Sequence, residues 1–304
     1  MSWGNRIVSV VCTICFAISF VAFGFVAVAV PDTATTALAD KYAGTTNDRT
    51  PFSHDELVDM ALAGKRYTFD ANDKGALYQA MYAINESAAA DGRASEHGLD
   101  LVRWDECAAA DQVPLAVYTQ QAESTPFYGI AATFSSANGA ASSDEARMRT
   151  LLPTEEHAAE IIAAADESSV LDAEAVSHLD DVFSVVMRAE PVVLGVFCVS
   201  VLCAVGVCCS IGRRAFGSVL VAAGAMTLVV FAILGVTAVV DFDGLFAAFH
   251  SLFFSQGSWV FDADSLLITM YPEPFWVGMG AIWLCATALV SVAAIAVGTA
   301  LRRA

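Results

Sequence analysis

Four stretches of the chain carry no charged residue over a length that can cross a membrane: Ile7 to Val30, Pro191 to Gly212, Ala215 to Val240 and Phe275 to Leu301. About 20 apolar residues suffice for a hydrocarbon core of ~30 Å. The pattern predicts an all-α polytopic membrane protein with four transmembrane helices. Ala37, Leu38 and Ala39 resemble a signal cleavage site. The first run is longer than the ~7–15 residues of a signal h-region, which favours a retained helix.

Between the runs the periodicity changes. Residues 31–51 are rich in Thr, Ala and Asp and show no period, so little fixed structure is expected there. Ser53 to Glu56 spells S-x-x-E ahead of Leu57, Val58, Met60, Ala61 and Leu62, a capping box that opens a helix. Leu77, Met81 and Ile84 predict a second helix from about Lys74 to Ala89. From Leu171 a third pattern places His178, Asp181 and Val185 on one face. It is expected to end or kink at Pro191, which lacks a donor and disfavours helix at Glu190. Ile211 to Arg214 reads as a tight turn between spans two and three. Gly278, Gly280, Ala286, Ala293 and Ala294 suit the fourth span to close packing.

The segment from Asp241 to Trp276 behaves differently from a polar loop. It has five acids, ten aromatics, one histidine and no Lys or Arg. Phe242, Phe246, Phe249 and Phe253 recur at the spacing of an amphipathic helix lying in a membrane interface, with His250 beside them.

Charge orients this layout. Arg6, Arg213, Arg214, Arg302 and Arg303 flank the runs on one side without any acid, and by the positive-inside rule that side is cytoplasmic. All 33 acids then fall in outward segments, and both termini are inside. The expected divisions are 1–30, the first transmembrane helix; 31–190, a large, mainly helical, acidic extracytoplasmic insert including the His178 helix; 191–240, a transmembrane hairpin; 241–274, an extracytoplasmic interfacial loop with His250; and 275–304, the fourth transmembrane helix. Of the eight cysteines only Cys107 lies outside the apolar runs, which excludes a disulfide framework. Cys12-x-x-Cys15 reads as packing on a membrane helix.

Residues 90–150 are rich in Ala, Ser, Gly and Asp, with apolar pieces at Leu99 to Trp104 and Val113 to Tyr118 and a weak run SSANGAASS. A small cap with a flexible edge, filtering access to a site on the same side, is expected. No phosphate-binding glycine loop, zinc spacing, nucleophile elbow or basic patch is present, so neither a nucleotide cofactor nor a nucleic-acid partner is expected.

His54, His97 and His157 sit in polar segments and read as solvated or capping residues. His178 and His250 both fall just outside a predicted membrane boundary, on the same side. The bland alternative is an interfacial histidine bonded to a neighbour, and an interface belt for the aromatics. Together with Asp181, Trp259 and Asp264 the pair becomes a candidate site. The string FAAFH-x-LFF, then W-x-FD, D-x-LI and P-E-x-F, preceded by H-L-x-D-V ahead of the second span, resembles the lipoprotein intramolecular transacylases, four-span bacterial membrane proteins. The matching motifs cover about Ser177 to Val182 and Phe246 to Phe275. Ala263 departs from a common proline, Trp276 replaces a phenylalanine, and the segment before His178 is much longer than the family's.

The resemblance implies an acyltransferase of the bacterial plasma membrane, its site facing outward, acting on diacylated lipoprotein N-termini amid membrane lipid. It implies transfer of an acyl chain from the sn-2 ester of a diacylglyceryl-cysteine to that cysteine's own α-amine, giving the lyso-form. His250 and His178 take the positions of the catalytic pair, with Asp181, Trp259, Asp264, Phe249, Phe253 and Glu273 in support. An ester becomes an amide, so no cofactor or metal is called for. Two rival readings are a membrane metallohydrolase built on His178, His250, Asp181 and Asp264, and an envelope sensor using the acidic insert as ligand domain.

Overall fold

A computed structural model describes residues 3–97, 112–114, 151–153, 155–255 and 257–303. Leu99 to Trp104, most of Val113 to Tyr118, the SSANGAASS run and Cys107 lie outside them, as does most of the expected access filter. The elements are α1 (Trp3–Ala29), α2 (Asp32–Tyr42), α3 (His54–Arg66), a π-helical turn (Tyr67–Ala71), α4 (Lys74–Ala90) and α5 (Arg93–His97). There follow β1 (Gln112–Pro114), β2 (Leu151–Pro153), α6 (Glu155–Ala164), α7 (Ala173–Ser210), α8 (Arg213–Val240), α9 (Phe242–Phe253), α10 (Leu266–Met270) and α11 (Glu273–Arg303). The all-α class holds, with one antiparallel ribbon in which Val113 pairs with Leu152. Among the described residues, α1, α7, α8 and α11 are the four helices long and apolar enough to cross a membrane.

The chain divides into two units. One comprises Met1–Ala29, Arg188–Phe249 and Met279–Ala304; the other comprises Val30–Met187 and His250–Gly278.

In the first unit α1 packs along α8. Ala17 and Phe20 meet Leu220 and Ala223, with Phe16, Phe216, Val290 and Ala294 against them. Cys12 joins Val207 and Val219 in a second cluster, so this cysteine does act as a small hydrophobe. Without a hydrophobic driving force among lipid tails, helices gain from close backbone approach. Gly217 and Gly298 supply it: a Cβ on either would lie 2.5 Å from the other's carbonyl oxygen. Gly280 has nothing near it, and Ala293 is exposed, whereas Ala294 packs. Composition marks α11 as small-residue-rich, but only one face of a helix meets a neighbour, and that face carries Thr287, Ser291 and Gly298. Outward positions such as Val239, 88% exposed, are bare apolar side chains suited to lipid.

Of the two outcomes expected at Pro191, an end or a kink, the first does not occur: Pro191 lies inside α7. In a helix entering a membrane the freed carbonyl is accommodated by local adjustment more cheaply than by breaking the helix.

The second unit has a core of Leu57, Met60, Leu77, Met81, Leu171, Leu266, Met270 and Phe275, all nearly inaccessible. The capping box forms: Ser53 Oγ accepts from Glu56 N, and Glu56 Oε2 accepts from Ser53 N at 2.7 Å. α4 forms as its period predicts, burying Leu77, Met81 and Ile84. The connector 31–51, expected to lack fixed structure, instead contains α2. Its order comes from tertiary contacts: Asp32 is 1% exposed and accepts from Lys65 Nζ at 2.9 Å and Arg66 Nη2 at 2.7 Å. Lys65 Nζ also donates to the Val30 carbonyl, and Leu38 packs where Gly278 leaves room for it. Beyond α2, Gly44 N donates to Thr269 O, and Asn47 Nδ2 donates to Thr269 Oγ1, both at 2.9 Å. Tyr271 Oη donates to the Ala61 carbonyl. These bonds hold the segment after His250 against α2 and α3.

Candidate active site

His178 and His250 come from segments far apart in sequence and meet in the second unit, their ring centroids 6.1 Å apart and their planes 28° from parallel. His178 reaches this point because Asp172 caps the start of α7, its Oδ1 accepting from Ala175 N at 2.7 Å. His250 lies in the last turn of α9, where its carbonyl accepts from Phe254 N at 2.9 Å.

Aromatic rings enclose the pair. Phe254 meets His178 in a T-shaped contact, centroids 4.8 Å apart, and stands 5.6 Å from His250, so one ring touches both imidazoles. Phe261 lies 5.6 Å from His178, and the Trp259 ring lies 4.9 Å from His250. Such walls offer almost no alternative hydrogen bonding. His178 is 9% exposed, and its Nδ1 has no hydrogen-bond partner among the described residues.

This environment sets the basicity of His178. Burial first, and the neighbouring His250 second, push its pKa down to about 4, against a weaker upward pull from Asp181. His178 is therefore neutral at physiological pH and can offer an N–H without carrying charge. The linkage has a definite sign. A folded-state pKa below the ordinary 6.5 means that the unfolded chain protonates first as pH falls. This group's contribution to stability is complete above about pH 6.5, shrinks between 6.5 and 4, and then levels off. Thermal unfolding of purified His178→Gln should accordingly lose less stability than wild type across that window. Equal acid sensitivity in the two proteins would show that His178 does not titrate as its burial requires.

The remaining candidates divide. Trp259 joins the pair directly. Asp181 is exposed and reaches the pair only through its field. Phe253 is 49% exposed, its ring 6.3 Å from Phe254, and Phe249, 48% exposed, belongs to the first unit. Glu273 is exposed in the first turn of α11. Asp264 has an exposed carboxylate, and its carbonyl accepts from Asn47 Nδ2 at 3.3 Å. It groups with Glu167 and Asp262, whose ligand atoms lie within 4.8 Å of one another. Among the described residues this is the group of donors spaced to hold a metal ion, and it contains neither histidine. Glu167 is held above its usual carboxyl range by burial and by the acids around it. Sequence reasoning did not single out Glu167, nor Phe261 as a wall of the site, although Phe261 stands in the W-x-FD string.

Residues 159–276 match the family model described as lipoprotein intramolecular transacylase Lit. No curated protein matches the sequence. Among solved structures, the chain is similar to the membrane-integral lipoprotein intramolecular transacylase Lit from Bacillus cereus. That likeness has 15% identity over 100% of this chain and 98% of that one, with a TM-score of 0.60. Two further structures of the Bacillus cereus protein, each with one histidine replaced, by arginine or by alanine, match at TM-scores of 0.55 and 0.56. Identity is again 15%, over 98% of this chain and 92% or 94% of those chains. At such identity the structural likeness establishes the shared fold.

Proposed function

We propose that this chain, whose residues 159–276 match the lipoprotein intramolecular transacylase family model, is an acyltransferase moving an acyl chain within one lipoprotein molecule. The transfer runs from the sn-2 ester of a diacylglyceryl-cysteine to that cysteine's α-amine. The observation that carries this reading is the His178–His250 pair, side by side within aromatic walls. Donor and acceptor belong to one substrate, so a confined pocket that brings amine and ester together supplies much of the acceleration.

The atoms balance without an added reactant. The α-ammonium, with a pKa near ~8, gives a proton to a base; its nitrogen then attacks the ester carbonyl carbon. As the carbonyl–glycerol bond breaks, a second proton leaves the nitrogen for solvent and the first passes from the base to the glycerol oxygen, so that an amide and a free hydroxyl remain. His250, less buried than His178, is the base that takes and returns the proton. His178, neutral because of its burial, donates a hydrogen bond to the developing oxyanion. Asp181 tempers that neutrality from outside, and Trp259, Phe254 and Phe261 exclude water from the reacting atoms.

The membrane is the bacterial plasma membrane in this reading. Spans 1–30, 191–240 and 275–304 cross it, while 31–190 and 241–274 lie outside with the site. The arginines Arg6, Arg213, Arg214, Arg302 and Arg303 support that orientation. A reporter fused after Arg303 should report as cytoplasmic and one inserted near Asn138 as exported; an exported signal after Arg303 would reverse the topology.

The direct test is mass spectrometry of lipoprotein N-termini from a host lacking such an activity. Expression of this chain should convert diacylglyceryl termini to N-acyl, lyso-glyceryl termini of unchanged total acyl mass. Unaltered termini, with the protein present in the membrane, would refute acyl transfer.

A further inference from the structure

α3 ends at Arg66, and the chain does not turn cleanly away from it. Tyr67–Ala71 forms a single π-helical turn, and Asn72 closes it in the left-handed region at φ 46°, ψ 41°. The Asn72 N–H bonds to the Tyr67 carbonyl at 3.1 Å, an i→i+5 closure. In an α-helix, positions five apart point about 140° away from each other. The wider turn and the left-handed residue bring Tyr67 and Asn72 onto one target instead. π turns of this kind concentrate at functional sites, and asparagine tolerates the left-handed conformation better than most residues.

That target is one carboxylate oxygen on α7. Tyr67 Oη donates to Asp180 Oδ1 at 2.5 Å, and Asn72 Nδ2 donates to the same atom at 3.1 Å. Tyr67 is 2% exposed, so its hydroxyl meets this carboxylate away from bulk water. Burial, together with Asp180, holds the Tyr67 phenol far above its ordinary range, which keeps the proton on the tyrosine as donor.

Asp180 follows His178 by two positions, which on a helix are about 200° apart. The clamp grips the side of α7 opposite the one that carries the imidazole. We infer that Tyr67 and Asn72, by holding Asp180, fix the rotation of α7 about its axis and so aim His178 at its place beside His250. The three are positioning residues, and the inference rests on the acyl-transfer reading. Rotating a helix by ~10° moves a ring near its surface by about 1 Å, and displacements of that size can cost ~10²-fold in rate.

Tyr67→Phe keeps the buried ring and removes only the donor. In a reconstituted assay on a diacylglyceryl-cysteine peptide, kcat should fall about tenfold or more while KM stays within about twofold. Asp180→Asn, which retains an acceptor oxygen, should keep most activity. In an Asp180→Leu background, adding Tyr67→Phe should change nothing further, because the two residues act as one unit. A wild-type kcat in Tyr67→Phe overturns the inference, as does a loss that merely tracks the unfolded fraction, or independent effects of the two substitutions. One measurement does not depend on turnover. The ring resonances of His178 in detergent feel the Phe254 ring, its centroid 4.8 Å away. They should shift in Tyr67→Phe, and unmoved resonances would overturn the clamp whatever the enzyme's activity. A wild-type protein that makes no lyso-form would instead strike the acyl-transfer reading.

Discussion

Membranes carrying His250→Ala or His178→Ala are expected to form lyso-form lipoprotein at least ~10²-fold more slowly than wild type, with each variant still inserted. The two losses have different origins. In the proposed mechanism, removing His250 leaves no group beside the amine to take its proton, so the nucleophile stays largely as ammonium at neutral pH. Without His178 the oxyanion faces Phe254 and Phe261, which cannot donate to it. Raising the pH therefore restores part of the rate in His250→Ala, where free amine becomes available, and leaves His178→Ala low. His54→Ala and His157→Ala should differ little from wild type, because each histidine is paired at the surface, with Asp40 and Glu160. Quantifying N-terminal acylation by mass spectrometry, alongside protein level in the membrane, decides the matter. Full activity in either single variant would remove the pair from the mechanism.

Asp32→Ala should produce the largest loss of stability, about 3–5 kcal/mol. Asp32 balances two cations: Lys65, whose side chain is almost wholly enclosed, and Arg66, which reaches in from the surface. Truncation leaves the Lys65 ammonium with the Val30 carbonyl and a more distant Asp70, 3.7 Å away. An unbalanced buried charge costs far more than the pair itself contributes, so Asp32→Asn combined with Lys65→Met should be milder than Asp32→Ala alone. Burial raises the Asp32 pKa, but its bonds to Arg66 and Lys65 outweigh burial and hold it below the usual carboxylate range. The contribution is thus complete above the ordinary carboxylate pKa and lost only as pH falls below it. The two midpoints, compared by thermal unfolding in detergent near pH 7, give the result; an Asp32→Ala midpoint equal to wild type would mean that the network stabilises nothing.

Much of this architecture is legible in the residues alone, for identifiable reasons. An uncharged run of membrane-spanning length has few other fates, so α1, α7, α8 and α11 appear where the apolar stretches lie. Ser53 and Glu56 announce α3 because a capping box is a local contract between neighbours. The His178–His250 pair was legible only through the string of aromatics around it, since no local rule brings residues so far apart together. α2 was not legible. Thr, Ala and Asp with no period give a weak intrinsic helix, and its anchor, Lys65, lies well downstream. The adjacent aspartates Asp180 and Asp181 show the same limit. Spacing places Asp181 on the face of His178, yet the carboxylate held by two donors is Asp180, because its partners come from another helix.

The buried network around Asp32 also bears on the order in which the chain acquires its structure as it emerges from the ribosome. Val30 and Asp32 lie nearer in sequence to Lys65 and Arg66 than Asn85 does to Ser169 or Tyr67 to Asp180, so they can engage first, at a smaller loop-closure expense. Asn85 must wait for Ser169, whose carbonyl it meets at 2.9 Å, and Tyr67 must wait for Asp180. Thr269 and Tyr271 arrive later still, to join Gly44, Asn47 and Ala61. The first helices after α1 thus form a platform on which residues from two later parts of the chain are received, and the histidines come together only when both have docked.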